Sequence, residues 1–212
     1  MTRVKICGLT NEDDLAAAID AGADAIGLLV DVPVDSPREI SPDRAVELAH
    51  EIPPFVSTVL VTMPERIERT VELAQLVEPD IVQVHDTSVG DLAYLSSNID
   101  ANVIPVIAPD TDRPERYDTV ADGLLLDAGK VGGTGETHDW DRARELSDSL
   151  SSPVLLAGGL TPENVADAVE TVEPFAVDVA SGVESSGGEK DHDAVESFVR
   201  NAKRGRQAIA HQ

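Results

Sequence analysis

Eight short apolar runs recur along the chain, each followed by a polar, helix-like stretch, and this alternation constrains the fold more than any other feature. The runs are RVKIC (3–7), DAIGLLV (24–30), FVSTVLV (55–61), DIVQV (80–84), NVIPVI (102–107), DGLLLD (122–127), PVLLA (153–157) and FAVDV (175–179). They are rich in Val, Leu and Ile and apolar almost throughout, the pattern of strands buried on both faces of a parallel sheet. Helix signals fill the gaps. TNEDDLAAAIDAGA offers Thr10 or Asn11 as a cap, acids in the first turn and Gly22 as a stop; SPDRAVELAH and TPENVADAVETV both open with a cap followed by proline. Only 108–121, APDTDRPERYDTVA, reads weakly as helix. Eight strand–helix units in 212 residues predict a single (β/α)8 barrel over 1–212, with an open doubly wound sheet as the alternative and 203–212 as a frayed tail.

Composition narrows the function. Forty acidic against sixteen basic residues leave a net charge of -24, which disfavours nucleic acid and anionic membranes as partners. The acids are spread along the chain and only four residues are lysine, a surface suited to high salt, where self-repulsion is screened. No apolar run approaches the roughly 18 residues of a membrane span, and the first residues carry no signal-peptide apolar region. A soluble, cytoplasmic protein is expected. A single cysteine excludes an intrachain disulfide and a cysteine-based zinc site.

In a barrel of this kind, chemistry sits at the C-terminal ends of the strands. That rule selects Cys7 at the end of the first run and Asp127 at the end of the sixth. Free cysteine is more often core filler than catalyst. Position on the rim is what raises its standing. Gln83 and His85 share one face at the end of the fourth run, as polar lining. Two glycine clusters, AGGLTPENV (157–165) and ASGVESSGG (180–188), follow the seventh and eighth runs, the pair of loops that hold phosphate in many barrels. Lys5 alternates with Cys7, so it should face the barrel interior and need a partner there. Asp178 on the neighbouring eighth strand is available, and the pair could favour the Cys7 thiolate.

VKICGLTNEDD, SPREISP, QVH, LLLDAGKVGGTGETHDW, LLAGGLTPENV and PFAVDVASGVESSGGEKDHD, in this order from residue 3 to about 203, resemble phosphoribosylanthranilate isomerase, a (β/α)8 enzyme of tryptophan biosynthesis. The resemblance implies an Amadori rearrangement without metal or redox cofactor. An acid protonates the furanose ring oxygen to give an open-chain Schiff base, a base removes the C2′ proton, and the enolamine tautomerises to the aminoketose. It assigns Cys7 as the base, Asp127 as the acid and Arg38 as the partner of the anthranilate carboxylate. Gly133, Thr134, Gly135, Gly158, Gly159, Ser181 and Gly182 would hold the phosphate. The partner is then a phosphosugar–anthranilate small molecule, and the protein a monomer or homodimer. Glu136 and His138 stand where GGTGKTFDW is usual, and Ala180 stands where serine is usual. The sister isomerase of histidine biosynthesis would be expected to carry a carboxylate base in place of Cys7 and a second phosphate site. A phosphate-binding barrel without activity is the non-enzymatic alternative.

Overall fold

The computed structural model describes residues 1–63, 65–127 and 140–209, the side chains of 205–209 excepted. Eight parallel strands close into a barrel in sequence order, β1 (Arg3–Cys7), β2 (Ala25–Leu29), β3 (Ser57–Thr62), β4 (Ile81–Val84), β5 (Asn102–Ile107), β6 (Leu124–Asp127), β7 (Val154–Ala157) and β8 (Ala176–Val179). The closed ladder, β8 pairing back onto β1, replaces the open-sheet alternative. Helices α1 (Glu12–Asp20), α2 (Pro42–Glu51), α3 (Ile67–Val77), α4 (Val89–Asn98), α5 (Glu115–Asp118), α6 (Trp140–Ser149), α7 (Val165–Val172) and α8 (His192–Ile209) separate and follow the strands.

Local chemistry explains the helix ends. Asn11 caps α1 by accepting from the Asp14 amide, and Ser41 caps α2 ahead of Pro42. The weak stretch at 108–121 forms only the four-residue α5. Thr161 opens a turn that leads into α7: its hydroxyl accepts from the Glu163 amide, the Asn164 side chain accepts from the Thr161 amide, and the Thr161 carbonyl accepts from Val165, the first residue of the helix. The stretch from 203 expected to fray begins inside a helix. Helix α8 continues to Ile209, and Lys203 donates to the Gly22 carbonyl at 2.6 Å and pairs with Asp24 at 3.1 Å.

Strand alternation divides the core in two. Val4, Ile6, Ile26, Leu28, Val177 and Val179 face outward into the layer beneath the helices. Lys5, Cys7 and Asp178 belong to the inward set, among Val59, Val61, Leu125 and Leu155. At the N-terminal end of the barrel one device repeats. Asp24, Asp80 and Asp122, just before β2, β4 and β6, each accept the amide of a residue on the preceding strand, Val4, Thr58 and Val103, at 2.8–2.9 Å. These aspartates seal the end opposite the strand termini that carry the site.

Candidate active site

At the C-terminal end of the strands lies a cavity of about 510 Å³, large enough for a small phosphorylated molecule. Cys7, Arg38, Gln83, His85, Asp127, Gly158, Gly159, Asp178, Ser181 and Gly182 all line it. The folded chain thus brings ten of the thirteen expected site residues to one cavity. The other three, Gly133, Thr134 and Gly135, lie outside the described residues, as do Glu136 and His138.

Cys7 ends β1 at 8% exposure, on the inward face. Its neighbour in register is Gly27 of β2, and a Cβ there would stand 2.7 Å from Cys7 Sγ. The space occupied by the sulfur exists because position 27 has no side chain. Gly8 follows with a φ of 76°, which turns the chain out of the strand; a Cβ on it would lie 2.7 Å from Arg38 Cδ.

Beneath Cys7, Lys5 Nζ lies 2.9 Å from Asp178 Oδ1, the buried ion pair expected from the sequence. Burial opposes the Lys5 charge, yet Asp178 and then Cys7 outweigh it and the ammonium is held above its ordinary range. Lys5 therefore stays charged inside the barrel. For Cys7 the balance goes the other way. Burial pushes the thiol up, the Lys5 charge and hydrogen bond pull it down, Asp178 pushes it up again, and the net shift is upward. The expected thiolate-favouring influence of Lys5 is present but does not prevail in the unliganded site.

Arg38 reaches the same rim from the loop after β2. Its Nε and Nη2 donate to Glu184 Oε1 and Oε2, both at 2.7 Å. Glu184 opens a small hairpin after β8, formed by β9 (Glu184–Ser186) and β10 (Glu189–Lys190). Lys190 is fully enclosed and donates to Glu184 Oε1 at 2.8 Å, to the Cys7 carbonyl at 2.8 Å and to the Ala180 carbonyl at 3.2 Å. Burial pushes the Glu184 carboxyl up, but the hydrogen bonds from Arg38 and Lys190 outweigh it and hold it below the ordinary carboxylate range. The sequence marks ASGVESSGG as a phosphate-holding loop and gives neither Glu184 nor Lys190 a role. A Lys six positions after a Glu, across a glycine pair, was the available signal for a hairpin closed by an ion pair.

The glycine turns follow β7 and β8 and line the same cavity. Gly158 and Gly159 have φ values of 92° and 62°, so the turn after β7 uses left-handed backbone that side chains resist. Gly182 packs so closely on Leu160 that a Cβ would fall on its carbonyl oxygen, which draws the turns after β7 and β8 together. Gln83 Nε2 and His85 Nε2 sit 3.4 Å apart on the β4 rim. Leu29, Val32, Val34 and Met63 supply an apolar wall beside Arg38.

Residues 4–201 match the family model described as N-(5'phosphoribosyl)anthranilate (PRA) isomerase. The N-(5'-phosphoribosyl)anthranilate isomerase of Haloarcula marismortui is 56% identical over 207 residues, covering 96% of this chain and 97% of the relative. That of Natronomonas pharaonis is 58% identical over 203 residues, covering 94% and 97%. A crystal structure of phosphoribosyl anthranilate isomerase in complex with reduced 1-(o-carboxyphenylamino)-1-deoxyribulose 5-phosphate is similar with a TM-score of 0.80 and 35% identity, over 96% of this chain and 100% of that one.

Proposed function

The chain belongs to the N-(5'-phosphoribosyl)anthranilate isomerase family, and from that premise we propose how its own residues divide the reaction. It is an isomerase of tryptophan biosynthesis, converting N-(5-phosphoribosyl)anthranilate to 1-(2-carboxyphenylamino)-1-deoxyribulose 5-phosphate. The acidic surface suits the high-salt setting of its haloarchaeal relatives. No helix among the described residues is long and apolar enough to cross a membrane; we place the enzyme in the cytoplasm, as monomer or homodimer.

The observation that carries the assignment is that Cys7 and Asp127 end different strands, β1 and β6, yet line one cavity. An acid and a base within reach of one ligand is what this chemistry requires. Asp127 donates a proton to the furanose ring oxygen, the C1′–O bond breaks, and an iminium forms at C1′. Cys7 as thiolate takes the proton from C2′. The electron pair of that C–H bond becomes the C1′–C2′ double bond of the enolamine, and the iminium is discharged. The enolamine then gains a proton at C1′ and loses one from the C2′ hydroxyl to give the ketone.

The remaining residues bind. Arg38 meets the anthranilate carboxylate, as a planar multi-donor group suits, and the wall of Leu29, Val32, Val34 and Met63 takes the ring. The turns at Gly158–Gly159 and Ser181–Gly182 let backbone amides approach the phosphate; Gly133, Thr134 and Gly135 complete that side. Gln83 and His85 line the β4 rim near the sugar. Asp178 serves as the counterion that keeps Lys5 beneath Cys7.

Because burial raises the Cys7 pKa in the free enzyme, the active thiolate is a minor form at neutrality, and kcat/KM should rise with pH. The decisive assay follows loss of substrate fluorescence in high KCl for the wild type, Cys7→Ser and Asp127→Asn. Each variant should lose on the order of 100-fold or more in kcat, the usual weight of a positioned proton-transfer group. Full activity in either would remove that residue from its role.

A further inference from the structure

Arginine has five N–H donors arranged with two bidentate edges. In Arg38 the Nε/Nη2 edge is already occupied by Glu184, at 2.7 Å on both sides. A carboxylate ligand is therefore left the Nη1/Nη2 end. The Arg38 side chain keeps 26% of its surface exposed and lines the cavity, whereas Glu184 keeps only 5% and Lys190 none. The guanidinium is gripped from behind and presented forward.

Charge makes the grip meaningful. Arg38 with Glu184 alone would be neutral overall, and an incoming carboxylate would feel attraction to one and repulsion from the other at similar range. Lys190, 2.8 Å from Glu184 Oε1, restores a net positive charge to the trio. A buried Lys–Glu pair is a poor stabiliser in its own right, since desolvation offsets much of the attraction. Its value here lies in where it leaves the third charge.

The hairpin carrying the pair is fastened on several sides. The Lys190 amide donates to Asp14 Oδ2 at 2.9 Å, and Asp14 Oδ1 lies 2.8 Å from His192 Nε2. Thr10 Oγ1 donates to the Gly188 carbonyl at 3.1 Å. Gly188, at a φ of 82°, sits where a Cβ would strike the Pro37 carbonyl oxygen, so the tip of the hairpin lies directly on the residue before Arg38. The Arg38 stem in turn covers Gly8.

We propose that Glu184 and Lys190 are positioning residues for substrate selection: Glu184 holds the Nε/Nη2 edge of Arg38, and Lys190 cancels the Glu184 charge so that the Nη1/Nη2 end attracts the aromatic carboxylate of the substrate. This rests on the reading of Arg38 as the carboxylate's partner. The readout is the ratio of kcat/KM for N-(5-phosphoribosyl)anthranilate to that for N-(5-phosphoribosyl)aniline, which lacks the carboxylate. General damage to the site lowers both values and cancels in the ratio.

Truncation of a carboxylate's charged partner predicts a ratio about 100-fold lower in Arg38→Ala. Lys190→Met, which removes the net charge, should lower it about tenfold, equivalent to about 1.4 kcal/mol. Glu184→Gln/Lys190→Met removes both buried charges together, and circular dichroism checks its fold. There the net charge returns but the fork is free, and immobilising it on binding predicts a loss of about fivefold. An unchanged ratio in Arg38→Ala would overturn the reading of Arg38. A lowered ratio there, with a wild-type ratio in the folded double variant, would overturn the grip of Glu184 on the fork, and a wild-type ratio in Lys190→Met would overturn the charge-cancelling role of Lys190.

Discussion

Replacing Lys5 by methionine separates the two tasks the structure gives this residue. Lys5 is 2% exposed and lies 2.9 Å from Asp178 Oδ1, so the change leaves a carboxylate of 8% exposure without its counterion. Breaking a buried pair from one side costs about 3–5 kcal/mol. For a chain of this size that corresponds to a fall of roughly 6–20 °C in melting temperature. The second effect is on Cys7. Burial raises its pKa, Lys5 is the largest influence pulling it down, and Asp178 pushes it up. Removing Lys5 therefore moves the thiol further up and reduces the thiolate present at any pH below its titration. Iodoacetamide reacts with the thiolate, so alkylation of the only cysteine in the chain, followed by mass spectrometry in high KCl, reads this directly. At pH 8 the folded variant should alkylate at least about tenfold more slowly than the wild type, the weight of a neighbouring opposite charge. Lys5→Met/Asp178→Asn provides the opposing arm. With both charges gone, much of the lost melting temperature should return, and alkylation should be faster than in Lys5→Met because the Asp178 charge no longer opposes ionisation. A folded Lys5→Met that alkylates as fast as the wild type would refute the electrostatic account of Cys7.

Two further perturbations test the geometry and the surface. Gly27→Ala places a Cβ 2.7 Å from Cys7 Sγ and 3.0 Å from its Cα. The end of β1 must shift, at a cost of about 1–3 kcal/mol for overpacking. Displacement of the base by about 1 Å should lower kcat/KM about 100-fold, checked by steady-state kinetics with circular dichroism confirming the fold; wild-type activity would show that Cys7 does not need this place. A net charge of -24 is screened over about 3 Å at 1 M salt but only over about 10 Å at 0.1 M. The melting temperature should therefore fall by several degrees on dilution from high KCl to low, and a salt-independent value would remove the high-salt reading of the surface.

The architecture was legible because it depends on patterns the sequence carries openly. Each of the eight apolar runs covers the strand that forms, β3 alone running one residue further to Thr62, and the β1–β8 ladder decides for the closed sheet over the open one that the same runs allowed. Cys7, Asp127 and the turns after β7 and β8 were legible for a related reason: in a barrel, the end of a strand is an address. Lys5 and Asp178 were found by the period of two along β1 and the adjacency of β8.

Glu184, Lys190 and Gly27 were not legible because their roles depend on packing between elements far apart in sequence. Lys190 donates to the Cys7 carbonyl across 183 positions, and Glu184 meets Arg38 across 146. Nothing local distinguishes Glu184 from the other acids in a chain with forty Asp and Glu. The consequence extends to the cysteine itself. Read from sequence, Cys7 is either core filler or base. In the fold it is a thiol buried enough to be held protonated, at the cavity rim, with Lys5 beneath it and the Lys190 ammonium on its own carbonyl. The same closure that raises its pKa shuts out the water that would otherwise screen those two cations. Each cation is itself paired, Lys5 with Asp178 and Lys190 with Glu184, so the thiol stays protonated, and Lys5 offsets only part of the cost of ionising it.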